Sequence, residues 1–162
     1  MEEKEHLSLL GAGPFYVATI SSVTFAALIL HYCGIIPVPE LSTLSAIVMK
    51  IASVLLVAVG VIMWVSAVFS SKIRNEIREN YLVTDGVYGL VRHPVYSAIT
   101  LAQWGILLWA GNLWMFLLLP LYWLFLSVLM KNTEEKWLHD VYGKEYEDYC
   151  KCVNRCIPWM KK

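Results

Sequence analysis

The chain has 162 residues, 58% of them hydrophobic and only 16% charged, and its formal net charge is zero. That length suits one domain. The zero net charge gives no basis for a nucleic-acid partner. A soluble domain carries about 25% charged residues, so the composition points instead to the membrane.

The few charges are also segregated. Between Leu41 and Phe69 the only one is Lys50, and from Pro94 to Met130 there is none. Apolar stretches of roughly 18 residues or more read as transmembrane helices. Four such segments are expected, and the whole of 1–162 reads as one all-α integral membrane domain. The first runs from about Pro14 to Ile36, opened by Pro14 and ended by Pro37 and Pro39. The second runs from about Ser42 to Phe69, with Lys50 able to snorkel to the interface. These two form an N-terminal helical hairpin over 14–70. The third runs from about Pro94 to Ala110 and is short: about 25 Å of helix against a hydrocarbon core of about 30 Å. The tight turn Gly111-Asn112 leads into the fourth, about Leu113 to Met130, which Pro120 is expected to kink. Beyond it, Leu138, Val141, Tyr142, Tyr146 and Tyr149 recur at helical spacing. They predict a C-terminal amphipathic helix on the membrane surface.

Lysine and arginine set the expected orientation. Twelve of the thirteen lie in the N-terminal tail, the Ser71–His93 linker or the segment after Met130. By the positive-inside rule those regions, with both termini, face the cytoplasm. The start, Met1 to His6, is acidic, so no cleavable signal peptide is read there. Cys33, Cys150, Cys152 and Cys156 do not form a paired disulfide framework and are read as reduced thiols. Cys-x-Cys-x-x-x-Cys lacks a second ligand pair, so no metal site is expected.

Three motifs carry possible chemistry. In the first, Asp85-Gly86 is a turn signal, and Arg92-His93-Pro94 opens the third helix. Pro94 fits a first helical turn with His93 beside the cap. Free N–H groups there, with Arg92, suit a carboxylate. The bland reading is that Arg92, His93 and Tyr96 simply flank a membrane helix. In the second, Glu134 and Glu135 suit an ammonium or ribose hydroxyls, although Asn132 with Glu135 also reads as a capping box. The third is the tyrosine-rich stretch 142–149 with Arg155 beyond it, where most of the aromatics read as packing. Gly11-Ala12-Gly13 lacks the third glycine and preceding strand of a dinucleotide loop. No hydrolase or metalloprotease motif is present. His31 reads as a satisfied histidine near a helix end.

In this order and spacing, Gly-x-Tyr-x-x-x-Arg-His-Pro-x-Tyr, an apolar hairpin, Glu-Glu-x-x-Leu, Tyr-Gly-x-x-Tyr-x-x-Tyr and Arg-x-Ile-Pro resemble the isoprenylcysteine carboxyl methyltransferase family. That family groups with the phospholipid N-methyltransferases. The resemblance covers about Leu82 to Pro158. It implies that 82–158 is a half that binds S-adenosylmethionine. Gly86, Tyr88, Arg92, His93, Pro94 and Tyr96 match its first cofactor motif, Glu134, Glu135 and Leu138 its second, and Tyr146 and Arg155 its closing segment. Arg92, Arg155 and Glu135 are the implied catalytic set, the two arginines orienting a substrate carboxylate. Val87 stands where many members have proline, and the chain has fewer N-terminal helices than many members.

The implied reaction is methyl transfer to a lipophilic acceptor, favoured as an isoprenylcysteine-like carboxylate, with a phospholipid amine or small thiol as alternatives. For an amine acceptor, His93 or Glu135 would be the base. An NADPH-dependent sterol-type reductase and a non-enzymatic membrane adaptor remain as other classes.

Overall fold

The computed structural model describes residues 12–38, 41–69 and 81–158. The acidic start and most of the basic linker, on which part of the expected orientation rests, lie outside the described residues.

The described chain is helical. Helix α1 spans Gly13–Tyr32, α2 Thr43–Phe69, α3 Pro94–Trp109, α4 Leu118–Asn132, α5 Glu134–Tyr142 and α6 Lys144–Cys152. Short 3-10 turns at Gly86–Gly89 and Leu113–Leu117 precede α3 and α4. Among the described residues the only β pairing is one isolated parallel bridge, Val91 to Asn154. Three segments are long and apolar enough to cross a membrane: Gly13–Tyr32, Thr43–Phe69 and Leu113–Tyr142. The expected third span is not among them. It forms α3, whose 16 residues give about 24 Å of helix, short of a hydrocarbon core of about 30 Å.

The first four helices alternate in direction, and α3 is the common partner of the other three. Lys50 lies over Trp109, its ammonium 5.7 Å from the ring centroid, while Gly60 sits against the Ala98 carbonyl. Thus α2 runs antiparallel to α3. Tyr16 meets Thr100 and His31 meets Asn112, so α1 runs parallel to α3. Phe15 meets Phe125 and Thr24 meets Tyr122, so α4 opposes α1. The expected pairing of α1 with α2 as a hairpin is not the main packing, since α2 lies along α3 instead. Small residues explain this. A Cβ on Gly105 would stand 2.6 Å from Val57 Cγ2 and 2.8 Å from the Ser53 carbonyl. Ser53 Oγ donates to the Gly105 carbonyl at 2.7 Å. In lipid, helix association rests on such close backbone approach and interhelical hydrogen bonds. The apolar residues that α2 leaves exposed, among them Ile51, Leu55 and Ile62, are those a bilayer would cover.

Local chemistry corrects three expectations. Gly34, at φ 73°, ends α1 before the prolines are reached. The Gly34 amide bonds the His31 carbonyl and the Ile35 amide bonds that of Leu30, a Schellman closure. Pro120 does not kink a helix interior. It falls in the first turn of α4, where the 3-10 turn Leu113–Leu117 passes into α-helix, rather than in the middle of the helix. The single C-terminal amphipathic helix is two helices, split at Gly143 with φ 53°. At the far end, fully buried Asn112 ties the turns together. It accepts from the Trp114 amide and approaches His31 Nδ1 at 3.2 Å, which gives His31 its partner.

Candidate active site

Alternating directions bring four ends together: the starts of α1 and α3 and the ends of α2 and α4. The charged motifs fall at this end. Pro94 is the first residue of α3, as the sequence predicts, and His93, expected beside the cap, is the cap itself. The Gly86 turn, at φ 60°, starts the 3-10 segment that feeds Arg92 into the site.

The C-terminal tail closes against that segment. The Arg92 amide donates to the Asn154 carbonyl at 2.9 Å, and that of His93 to the Arg155 carbonyl at 3.1 Å. These two backbone bonds hold the tail against the residues that lead into the first turn of α3. The Tyr149 hydroxyl donates to the Tyr88 carbonyl at 2.6 Å and fastens α6 to the same turn.

Glu135 is the hub of the side chains. Arg155 grips it with two parallel bonds, Nε to Oε1 at 2.6 Å and Nη2 to Oε2 at 2.7 Å. Arg92 Nη2 and His93 Nε2 each reach Oε1 at 3.3 Å. Glu134 is the second centre. The Tyr96 hydroxyl donates to its Oε1 at 2.7 Å, and His93 Nδ1 lies 3.5 Å from Oε2. Arg92 also contacts the Tyr146 hydroxyl at 3.4 Å and the Cys150 thiol. Its Nε is buried without a partner among the described residues.

This arrangement rules out the capping-box reading. Asn132 Nδ2 donates back to the Val128 carbonyl, Thr133 Oγ1 donates to that of Leu129, and Thr133 occupies the cap without a side-chain bond. Glu135 is free to face the arginines.

Burial opposes charge on His93, but its hydrogen bonds to Glu134 and Glu135 outweigh it and raise its pKa above the ordinary value. Burial, then the charge of Glu134, raises the Tyr88 hydroxyl. Burial pushes the Cys156 thiol up to about 12, despite the nearby Arg155 guanidinium. Cys156 is therefore a poor nucleophile at neutral pH.

Of the residues read from sequence, Arg92, His93, Tyr96, Glu134, Glu135, Tyr146 and Arg155 converge in this cluster. Pro94 supports it as the buried first residue of α3. The structure does not bring Leu138 or Gly86 into direct polar contact with it. Leu138 packs in an apolar cluster with Tyr146, Tyr149 and Val153, and Gly86 is an exposed turn residue. Sequence reasoning missed Cys150 and Asn154. Cys150 stands four residues after Tyr146 on α6, so helical spacing was an available signal. Nothing in the sequence marked the Asn154 carbonyl.

An open cavity of about 580 Å³ lies over α5 and α6, bounded by Glu135, Tyr146 and Cys150 with Lys131, Lys136 and Lys151. A second, apolar groove of about 480 Å³ runs between α1 and α4, past Ile20, Val23, Leu121 and Phe125.

The fold and site define a helical, largely apolar chain with an arginine–glutamate–histidine centre at one end of its helices. Residues 48–145 match the phospholipid methyltransferase family, and the chain belongs to it. The chain is 39% identical over 82 residues to protein-S-isoprenylcysteine O-methyltransferase of Schizosaccharomyces pombe, covering 50% of this chain and 34% of that protein. It is 34% identical over 91 residues to a probable protein-S-isoprenylcysteine O-methyltransferase of Oryza sativa subsp. indica, covering 51% and 44%. It is 33% identical over 76 residues to methanethiol S-methyltransferase 1 of Bradyrhizobium diazoefficiens, covering 46% and 25%. The matched segments thus span less than half of each of these relatives. No solved structure matches the chain.

Proposed function

We propose that this chain is an integral membrane methyltransferase that uses S-adenosylmethionine and methylates a lipophilic acceptor, with its charged site at the cytoplasmic face. One observation carries this reading: Arg92, His93, Glu134, Glu135 and Arg155, drawn from three separate segments, share one hydrogen-bonded cluster.

The residues fit the cofactor. The cavity beside the cluster carries both signs of charge, Lys131, Lys136 and Lys151 against Glu135, Asp140 and Glu147. That suits a zwitterionic amino-acid head. The Nε of Arg92, buried and without a partner among the described residues, offers one more donor. Glu135, Tyr146 and Arg92 would hold the head group, with Glu134 for the ribose or ammonium. Bound there, S-adenosylmethionine supplies an electrophilic methyl on a sulfonium.

The protein's work is positioning and exclusion of water. Arg155 is the more exposed of the two arginines, 26% against 8%, which supports a role for it in orienting an acceptor carboxylate. Such a nucleophile is already ionised and needs no base. Glu135 keeps both guanidiniums in place between turnovers. The apolar groove between α1 and α4 gives a hydrocarbon tail a route from the bilayer.

We favour an isoprenylcysteine-like carboxylate as acceptor. A small thiol is the second reading, favoured by the similarity to the methanethiol enzyme. The test is methyl transfer by the full chain in lipid nanodiscs. Methyl-labelled S-adenosylmethionine would be offered with an S-prenylated N-acetylcysteine, with methanethiol, or with phosphatidylethanolamine. Base-labile label in the prenylated product supports the carboxylate reading. Label only in the thiol product moves the chain to the second reading. No transfer to any acceptor contradicts the proposal.

A further inference from the structure

We propose that the start of α1 is a positioning element for the site: Gly13 and Tyr16 fix the ring of Tyr96 so that its hydroxyl meets Glu134. Gly13, which in sequence lacks the context of a nucleotide loop, serves in the structure as a contact surface. It is buried, and a Cβ placed on it would stand 2.5 Å from both the Cε1 and the hydroxyl oxygen of Tyr96. Only a residue without a side chain lets the ring lie there. One turn on, fully buried Tyr16 crosses the same ring edge to face, with centroids 6.3 Å apart at 75°.

Tyr16 also holds the backbone that carries Tyr96. The Thr100 hydroxyl donates to the Tyr96 carbonyl at 2.7 Å, and the Tyr16 hydroxyl lies 2.7 Å from the same Thr100 oxygen. With the threonine proton committed to Tyr96, Tyr16 is the donor to Thr100. Its 3.4 Å approach to the Tyr122 carbonyl is then secondary. On its other side the Tyr96 ring meets the His93 ring at 6.1 Å. Held between these contacts, its hydroxyl meets Glu134 Oε1 at 2.7 Å. The first helix, apolar and bland in sequence, thereby reaches the charged centre through one tyrosine.

The inference deepens the proposed function and rests on that reading for its catalytic meaning, so its test does not depend on cofactor binding. Glu134 and Glu135 of α5 face His93. Arg92 beside it and Arg155 on Glu135 are the nearby cations. Releasing the Tyr96 hydroxyl leaves Glu134 more negative toward His93. The titration midpoint of His93 is read by NMR of the full chain in detergent, in the wild type, Gly13→Ala, Tyr96→Phe and the double variant. Tyr16→Phe, measured alone and combined with Tyr96→Phe, keeps the ring and removes only the hydroxyl, and provides a milder disturbance if Gly13→Ala does not fold.

Gly13→Ala or Tyr16→Phe should move the midpoint upward by on the order of half a pH unit. Neither should move it further once Tyr96 is phenylalanine. No shift in the single variants, or an equal shift with and without the Tyr96 hydroxyl, overturns the positioning role. S-adenosylhomocysteine binding by the wild type is measured separately. Its absence would count against the methyltransferase reading while leaving the Tyr96 coupling standing or falling on the titration.

Discussion

Arg155 holds both carboxylate oxygens of Glu135, at 2.6 and 2.7 Å, and so ties the C-terminal tail to the start of α5. Glu135 at the same time faces Arg92 at 3.3 Å. Replacing it with glutamine leaves two guanidiniums without their shared counter-charge. Glu135→Gln should lower stability by about 1–3 kcal/mol. The figure for breaking a fully buried pair is about 3–5 kcal/mol, but Arg155 is 26% exposed and water will screen part of the loss. Arg155→Lys should cost less, because it keeps the charge while giving up the parallel fork. Unfolding in a denaturing detergent series measures both.

His93 gives the site a pH dependence of definite sign. Its pKa is raised in the folded state, chiefly by hydrogen bonds to Glu134 and Glu135 that outweigh burial. The protonated form is therefore favoured by folding. That stabilisation is fully present below the unfolded value of about 6.5 and is lost as pH rises through the higher folded value. Thermal midpoints should fall as pH is raised from about 6.5. The fall should be shallower in His93→Gln, and identical pH profiles would contradict the pairing.

The contact between α2 and α3 should resist even one added methyl group. Gly105→Ala puts a Cβ within 2.8 Å of the Ser53 carbonyl and should cost about 1–3 kcal/mol. Ser53→Ala removes one interhelical hydrogen bond and should cost nearer 0.6 kcal/mol. The order of the two losses, read by the same unfolding series, is the test.

Gly143 separates α5 from α6 with φ 53°, and nothing lies within 4 Å of where its Cβ would be. Gly143→Ala should therefore destabilise through backbone strain alone, by about 1–3 kcal/mol. Fluorescence-monitored unfolding checks this. A stabilised variant would show that the sequence prefers one continuous helix.

The presence of α1, α2 and α4 was legible because a bilayer demands long, nearly charge-free runs: no residue is charged between His6 and Pro39 or between His93 and Lys131, and Lys50 alone interrupts the run from Leu41 to Phe69. The convergence of Arg92, Glu134, Glu135 and Arg155 was legible only through the family resemblance. No spacing rule brings residue 155 to residue 135. The pairing of α2 with α3 was hidden because Gly60 and Gly105 act through what faces them, which sequence does not display. The break at Gly143 was masked by an unbroken helical period from Leu138 to Tyr149. Asn132 and Glu135 stand at capping-box spacing, and only the tertiary pull of two arginines decides against it. Gly13 was weighed as part of a nucleotide loop, whereas its partner is a tyrosine 83 positions away.

The most direct test is calorimetric titration of the purified full chain in detergent with S-adenosylhomocysteine and, in parallel, with NADPH. Saturable binding of S-adenosylhomocysteine alone is the predicted result, weakened about tenfold or more by Arg92→Ala. Binding of NADPH alone, or of neither by a folded sample, would contradict the methyltransferase assignment.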